Sequence, residues 1–72
     1  MIDMLATGAR ITNLRKANGI TVAMIVNTLG GVAKTAICKW QRGETLPTLD
    51  NLVVLAEMMN VTLNDIVVVT TR

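Results

Sequence analysis

Two short segments near the middle of the chain read as helices on either side of a glycine pair. The first covers residues 21–29 and the second residues 33–42, with Gly30 and Gly31 between them. At helical spacing the second segment has a polar, cationic face and an apolar face, formed by Lys34, Thr35 and Lys39 and by Ile37 and Trp40. We therefore expect a helix that packs on the rest of the chain while its cations point outward.

Charge is distributed unevenly along the chain. Six of the seven basic residues lie before Gly43, where Asp3 is the only acid, and four of the five acids follow it. The basic residues of this first part are Arg10, Arg15, Lys16, Lys34, Lys39 and Arg42. A chain with one basic and one acidic end is expected to orient on a polyanion.

Size and composition limit what the chain can hold. Its 72 residues predict a single domain spanning residues 1–72. The lone Cys38 cannot form an internal disulfide, and the absence of histidine argues against a metal cluster, so we expect no cofactor. A free thiol suits a reducing cytoplasm. Apolar residues make up 51% of the chain, more than one small core covers, which predicts self-association as a homodimer.

The sequence predicts neither secretion nor membrane insertion. Asp3 stands where a secretory signal carries positive charge. Residues 17–33 are uncharged, but glycines and asparagines interrupt them, and they fall short of the roughly 20 apolar residues of a transmembrane helix. We therefore expect a cytoplasmic protein without a membrane partner.

Periodicity predicts five short helices, over residues 4–17, 21–29, 33–42, 48–59 and 62–69. Thr21 and Thr48 are expected N-caps, and Gly43 an expected stop. The apolar positions expected in the core include Leu5, Ile11, Leu14, Met24, Leu49, Leu52 and Val53.

Two of these helices have competing interpretations because they are rich in β-branched residues. Residues 21–29 would read as a strand in isolation. Residues 66–69 are all β-branched, so the last element is also open to reading as a helical turn followed by an extended tail, which would pair with its twin in a dimer.

Several short motifs occur in a characteristic order along the chain. They are Ile11, Leu14 and Arg15; Gly19, Ile20 and Thr21; Leu29 and Gly30; Ala36 to Gly43; Pro47, Thr48 and Leu52; Leu55 and Ala56; and Val61 to Leu63. Together, over residues 7–69, they resemble the Cro and phage-repressor-like (Xre-type) helix-turn-helix domains. The resemblance implies an all-α, compact five-helix lambda-repressor-like fold, and a transcriptional regulator that binds a palindromic DNA operator as a dimer.

The chain departs from that family pattern at several positions. Val26 replaces a small alanine between the two helices, and Gly31 reads as one extra residue in the turn. Ala33 stands where serine or threonine normally caps the recognition helix, a loss of about 1 kcal/mol unless another group replaces the cap. Gln41 replaces a glutamate that pairs with the arginine matching Arg15, so the charge pair is absent.

The resemblance assigns the reading of base edges to Lys34, Thr35 and Lys39. Lysine donates to guanine O6 and N7, and threonine hydrogen-bonds or contacts the thymine methyl group. The simpler alternative is a solvated helix face. Thr21 is a candidate phosphate contact at a helix N-terminus, with plain capping as its alternative. Arg42 and Thr45 are candidates for contacting the flanking DNA backbone, with a solvated turn as the alternative. Trp40 is expected to pack in the core and not to stack on bases. Cys38 is expected to be a small packing residue or an exposed bystander, and not a redox switch.

The function that follows is sequence-specific binding of double-stranded DNA by a transcriptional regulator, most simply a repressor. The alternative is a protein-interaction module, such as an antitoxin-like partner with little or no DNA binding. Val22, which stands where the family has a DNA-contacting glutamine, and the high apolar content motivate that alternative. An enzyme is not expected, because the chain lacks a set of acid, base and nucleophile, and no small-molecule ligand is indicated.

Overall fold

The computed structural model describes residues 1–70, and this part of the chain contains five helices. Helix α1 covers Met4–Ala17, α2 Val22–Leu29, α3 Lys34–Arg42, α4 Leu49–Met59 and α5 Leu63–Ile66. The all-α, five-helix fold class expected from the sequence is confirmed. Helix α2 forms where the β-branched residues would favour a strand in isolation.

Side-chain caps set the starts of α2 and α4. The hydroxyl oxygen of Thr21 accepts a hydrogen bond from the Met24 backbone N–H at 3.1 Å, and that of Thr48 accepts one from the Asn51 N–H at 3.2 Å. Each bond satisfies a donor that the first turn of a helix leaves without a partner. The predicted helix starts at these two threonines are one residue early, because a cap lies just outside its helix.

The end of α3 is a tight, fully bonded turn. Gly43 adopts a left-handed conformation with φ 75°, and its N–H donates to the Trp40 carbonyl at 3.1 Å. The N–H of Glu44 donates to the Lys39 carbonyl at 3.0 Å, which completes a Schellman motif. A Cβ at Gly43 would lie 2.8 Å from the Cα of Leu5, so both conformation and space require glycine.

Every helix contributes to one aliphatic core. The apolar side chains that are at most 1% exposed are Ile11, Ile25, Ile37, Leu55, Met59 and Ile66. Trp40 is also buried and packs with them, as the sequence predicted. Because the inner face of α3 is used for this packing, its outer face carries the polar residues.

Helices α1 and α3 meet backbone to backbone at Gly8, which lies buried within α1. A Cβ at this position would lie 2.5 Å from the carbonyl oxygen of Trp40 and 2.6 Å from that of Gln41. Only glycine fits so close to the α3 backbone. A glycine inside a helix costs about 1 kcal/mol relative to alanine, and the close contact explains why one is present.

The Gln41 side chain extends this contact by bridging α3 to α1. Its Oε1 accepts hydrogen bonds from the Arg15 Nε at 3.1 Å and from the Thr12 hydroxyl at 3.1 Å. Arg15 also donates from Nη1 to the Ile20 carbonyl at 3.1 Å. The charge pair that a glutamate would make is absent, as expected, but a neutral amide retains the hydrogen-bonded link.

Four residues expected in the core are exposed instead. Leu5 is 71% exposed, because its backbone abuts Gly43 and leaves the side chain in solvent. On α4, Leu49 is 67% and Val53 42% exposed, at the edge of the apolar face. Met24 is 45% exposed, beside the cap of α2. The predictions for these four side chains are wrong, because helical spacing shows which residues share one face of a helix but not how much of that face the other helices cover.

The last helix was predicted over residues 62–69, which is wrong beyond Ile66. Val67 already has an extended backbone, with φ −81° and ψ 122°. Three successive valines occupy positions 67–69, and their stiff, branched side chains favour extended structure over helix.

This extended segment pairs with the N-terminus of the same chain. Ile2 and Val69 form an antiparallel bridge, and the Asp3 N–H donates to the Val68 carbonyl at 2.7 Å. The buried hydroxyl of Thr7 accepts from the Val68 N–H at 3.0 Å. The alternative of a helical turn followed by an extended tail is therefore correct, and within this chain the tail pairs with the first residues.

None of the helices within residues 1–70 is by itself long and apolar enough to cross a bilayer. Helices α2 and α3 reach the required length and composition only when taken together, and they are bent by 119°.

Gly8→Ala is expected to destabilise the fold by about 1 to 3 kcal/mol, because the added methyl group would overpack the contact with α3. Helix propensity alone predicts the opposite sign, a gain of about 1 kcal/mol. Urea unfolding of both proteins measures the difference. The exposed neighbour provides a control, since Ala9→Gly reports propensity without the contact. An increase in stability for Gly8→Ala would contradict the close approach.

Candidate nucleic-acid interface

Helices α2 and α3 form a two-helix unit with a sharp bend. They are joined by four residues and inclined by 119°, within the range for a helix-turn-helix. Gly30 and Gly31 both have positive φ, at 57° and 61°, which carries the chain around the bend. Val26, the larger residue between the helices, is half-buried against the core. The longer turn and the larger side chain thus occur together.

The outer face of α3 is polar and accessible. Lys34, Thr35 and Lys39 are all exposed, whereas Ile37 and Trp40 on the inner face are buried. Thr35 and Lys39 are four residues apart and lie on the same side of the helix. All three predicted reading residues are thus exposed on α3, with Lys34 in its first turn and Thr35 and Lys39 one turn apart.

The N-terminus of α3 lacks a side-chain cap. Ala33 occupies the cap position, with φ −78° and ψ 153°, and its methyl group cannot accept a hydrogen bond. The serine or threonine cap that the family resemblance implies at this position is missing, as the sequence indicated. A helix N-terminus carries partial positive charge, and Lys34 adds a full charge beside it. This end of α3 is electrostatically suited to an anion.

Thr21 lies exposed at the start of α2 and acts as a cap. Its Oγ1 accepts from the Met24 N–H, and its own N–H points at the Met24 sulfur at 3.4 Å. Capping uses the oxygen as an acceptor, so the hydroxyl proton is still able to donate. Capping and contact with a phosphate are therefore compatible at this residue.

Arg42 and Glu44 form an ion pair just beyond α3, and Thr45 follows in the exposed turn. The two charged side chains are 57% and 50% exposed. The hydrogen bond from Arg42 lowers the pKa of Glu44, and the same bond raises the pKa of Arg42. Sequence reasoning missed this pairing, although the signal was opposite charges on either side of the glycine that ends the helix.

Two other basic residues make hydrogen bonds that link one helix to another. Arg15 binds Gln41, and Arg10 donates from Nη1 to the Asp65 carbonyl at 2.7 Å, tying α1 to the end of α5. Hydrogen bonds from Thr62 lower the pKa of the Asp65 carboxyl, and the charge of Arg10 adds to the effect. The cationic surface is therefore narrower than the charge count suggests, since these two arginines hold helices together.

Within residues 1–70 the structure has no pocket and no group of His, Cys, Asp or Glu side chains arranged to hold a metal ion. Cys38 is half-buried on α3. The candidate residues thus lie on an open surface of this part of the chain.

No protein-family model matches the chain. Its sequence is similar to the cryptic phage CTXphi transcriptional repressor RstR of Vibrio cholerae serotype O1, with 33% identity over 57 residues. The match covers 79% of this chain and 50% of the repressor, so the chain spans about half the length of this relative.

Two solved structures share the architecture. The restriction-modification controller protein C.AhdI from Aeromonas hydrophila superimposes with a TM-score of 0.75 at 23% identity, covering 89% of this chain and 96% of that one. The DNA-binding domain of BldD superimposes with a TM-score of 0.73 at 18% identity, covering 90% of this chain and 93% of that domain. The resemblance drawn from the sequence motifs is confirmed at the level of the fold, because the chain shares its helix-turn-helix architecture with this controller protein and this DNA-binding domain.

Proposed function

We propose that this chain binds double-stranded DNA sequence-specifically, with α3 in the major groove, and regulates transcription in the cytoplasm as a repressor. One observation carries the proposal: Lys34, Thr35 and Lys39 are exposed on a helix whose other face is buried in the core. A helix fixed on one side and cationic on the other fits the width of the major groove.

In the proposed mechanism, affinity for DNA and selectivity for its sequence come from different contacts. Neutralising phosphates supplies most of the affinity, and the few side chains that reach base edges supply the selectivity. Lys34 and Lys39 carry the long donors suited to guanine O6 and N7, and Thr35 suits a base edge or a thymine methyl group. The uncapped N-terminus of α3 adds backbone donors near the same groove.

Contacts on either side of α3 would fix its register on the duplex. We assign Thr21 to a phosphate on one side, because its hydroxyl proton remains available at the start of α2. Arg42 and Thr45 are assigned to the other side, where both are exposed. Such phosphate contacts orient the protein without reading sequence themselves.

Repression is the regulatory role best supported by the relatives. RstR is a phage transcriptional repressor, and the two structural neighbours are a controller protein and a DNA-binding domain. Because the chain spans about half of RstR, repression is carried over as part of the proposal. The simplest mechanism is occupation of a promoter, with neither catalysis nor a cofactor.

We further propose that two copies associate as a homodimer through α4. Leu49 and Val53 stand one helical turn apart on α4 and are 67% and 42% exposed, so they form an apolar strip on a rigid element. Burial of such a strip favours association. A dimer would bind two half-sites about 10 bp apart, in a palindrome that mirrors its own symmetry.

Selection of bound fragments from a random DNA pool is expected to return one preferred sequence. Lys34→Ala and Lys39→Ala are each expected to weaken binding to it by about tenfold, since a lost base contact costs about 1 to 3 kcal/mol. At least one variant should also change the selected sequence. Fluorescence anisotropy over a range of salt concentrations measures both affinity and its salt dependence.

Lys16→Ala is the matched control, because it removes an exposed lysine from α1, outside the proposed reading face. It should leave the selected sequence unchanged. If the α3 variants bind and select like the parent, the face is wrongly assigned. If the parent itself shows no salt-sensitive binding to duplex DNA, the alternative of a protein-interaction module is favoured.

Replacing both Leu49 and Val53 with lysine is expected to shift the protein from dimer to monomer, because two charges would have to be buried at the interface. Sedimentation equilibrium measures the change in mass. Leu5→Lys is the control, since it charges an exposed apolar residue on α1. Loss of the dimer in the control alone would place the interface elsewhere, and a monomeric parent would rule out the homodimer.

A further inference from the structure

Glu44 is an acid placed at the cationic end of the reading helix, and its position is fixed by the backbone. Its N–H is bonded to the Lys39 carbonyl at 3.0 Å in the turn that ends α3. The preceding Gly43 is pressed against the Leu5 backbone. Because the main chain cannot easily shift here, the backbone of Glu44 is held two residues from Arg42, within reach of its side chain.

The contact between the two side chains uses only one edge of the arginine. The Nε of Arg42 donates to the Oε2 of Glu44. A guanidinium has five N–H donors, and the outer edge formed by Nη1 and Nη2 is distinct from the Nε N–H that Glu44 binds. Half of the Arg42 side-chain surface remains accessible in the pair, so this outer edge is available to a further acceptor.

We propose that Glu44 is a specificity-determining residue that holds Arg42 for one backbone phosphate of the correct DNA site. This inference rests on the proposed DNA-binding function. When α3 is seated in register, a phosphate meets the outer edge of the guanidinium, which is suited to two parallel hydrogen bonds. Elsewhere on DNA the pair presents little net charge, so Arg42 adds little to non-specific binding.

The proposal depends on a difference in phosphate binding between an arginine side chain that is held in one conformation and one that is mobile. A mobile arginine side chain binds any nearby phosphate and raises affinity for every sequence alike. An arginine already ordered by a partner loses less rotamer freedom on binding in the correct place. Exposed ion pairs are weak, so Glu44 biases Arg42 without preventing its contact with DNA.

A second effect of Glu44 is separable from this one. Its negative charge repels the phosphates of all sequences, and removing it raises affinity in general. That general effect leaves the ratio of specific to non-specific affinity unchanged. The ratio is therefore the quantity that tests the proposal.

The experiment compares Glu44→Ala with the parent on two duplexes of equal length, the selected sequence and a scrambled version. We expect tighter binding to the scrambled duplex and a fall of about two- to fivefold in the ratio of the two affinities, the range that an exposed ion pair can supply. Glu57→Ala on α4 is the matched control, since it removes one exposed acid far along the chain. It should leave the ratio unchanged. Glu44→Gln retains an acceptor for Nε and should restore part of the ratio.

A cycle with Arg42→Ala completes the test. In that background Glu44→Ala should no longer alter the ratio, because no arginine remains to be held. The proposal is overturned if Glu44→Ala and Glu57→Ala have the same effect on the ratio, or if Glu44→Ala lowers it equally without Arg42. Failure of the DNA-binding proposal is distinct, because the parent would then show no preference between the duplexes.

Discussion

The backbone contact between α1 and α3 at Gly8 is the constraint on which the reading surface depends. With no Cβ on Gly8, the carbonyls of Trp40 and Gln41 come within the space that a side chain would fill. Contact between two backbones leaves little freedom for sliding or rotation, because neither partner can change rotamer. The bridge from Gln41 to Arg15 then adds directional bonds to the same contact.

This contact determines which residues of α3 remain available for recognition. Ile37 and Trp40 are committed to the core, and Gln41 is committed to α1. Lys34 and Thr35 lie in the first turn, which follows the glycine bend and carries no cap from Ala33. The helix is therefore held most firmly at its C-terminal end, while its N-terminal end is presented to the surroundings.

Local rules explain why much of the fold was predictable from the sequence. The caps at Thr21 and Thr48 and the stop at Gly43 each depend on residues within a few positions, so composition and spacing suffice to identify them. The division of α3 into a cationic and a buried face follows from periodicity alone. These features included all three of the proposed base-reading residues.

The parts that were missed depend on contacts distant in sequence. The sequence around Gly8 does not show that α3 packs against this glycine. The exposure of Leu5 likewise depends on the position of Gly43. The β-branched side chains of residues 67–69 already favoured an extended tail, but its partner, the segment at Ile2, lies at the other end of the chain. The pairing of Glu44 with Arg42 depends on the turn at Gly43, which brings the two side chains together.

The most direct measurement of the central claim is a titration of the isotope-labelled protein with the selected duplex, followed by backbone amide chemical shifts. We expect the largest changes at Thr21 and in α3 from its first turn to Lys39, with α5 little affected. Changes confined to α4 and α5, with α3 unperturbed at saturating DNA, would contradict it.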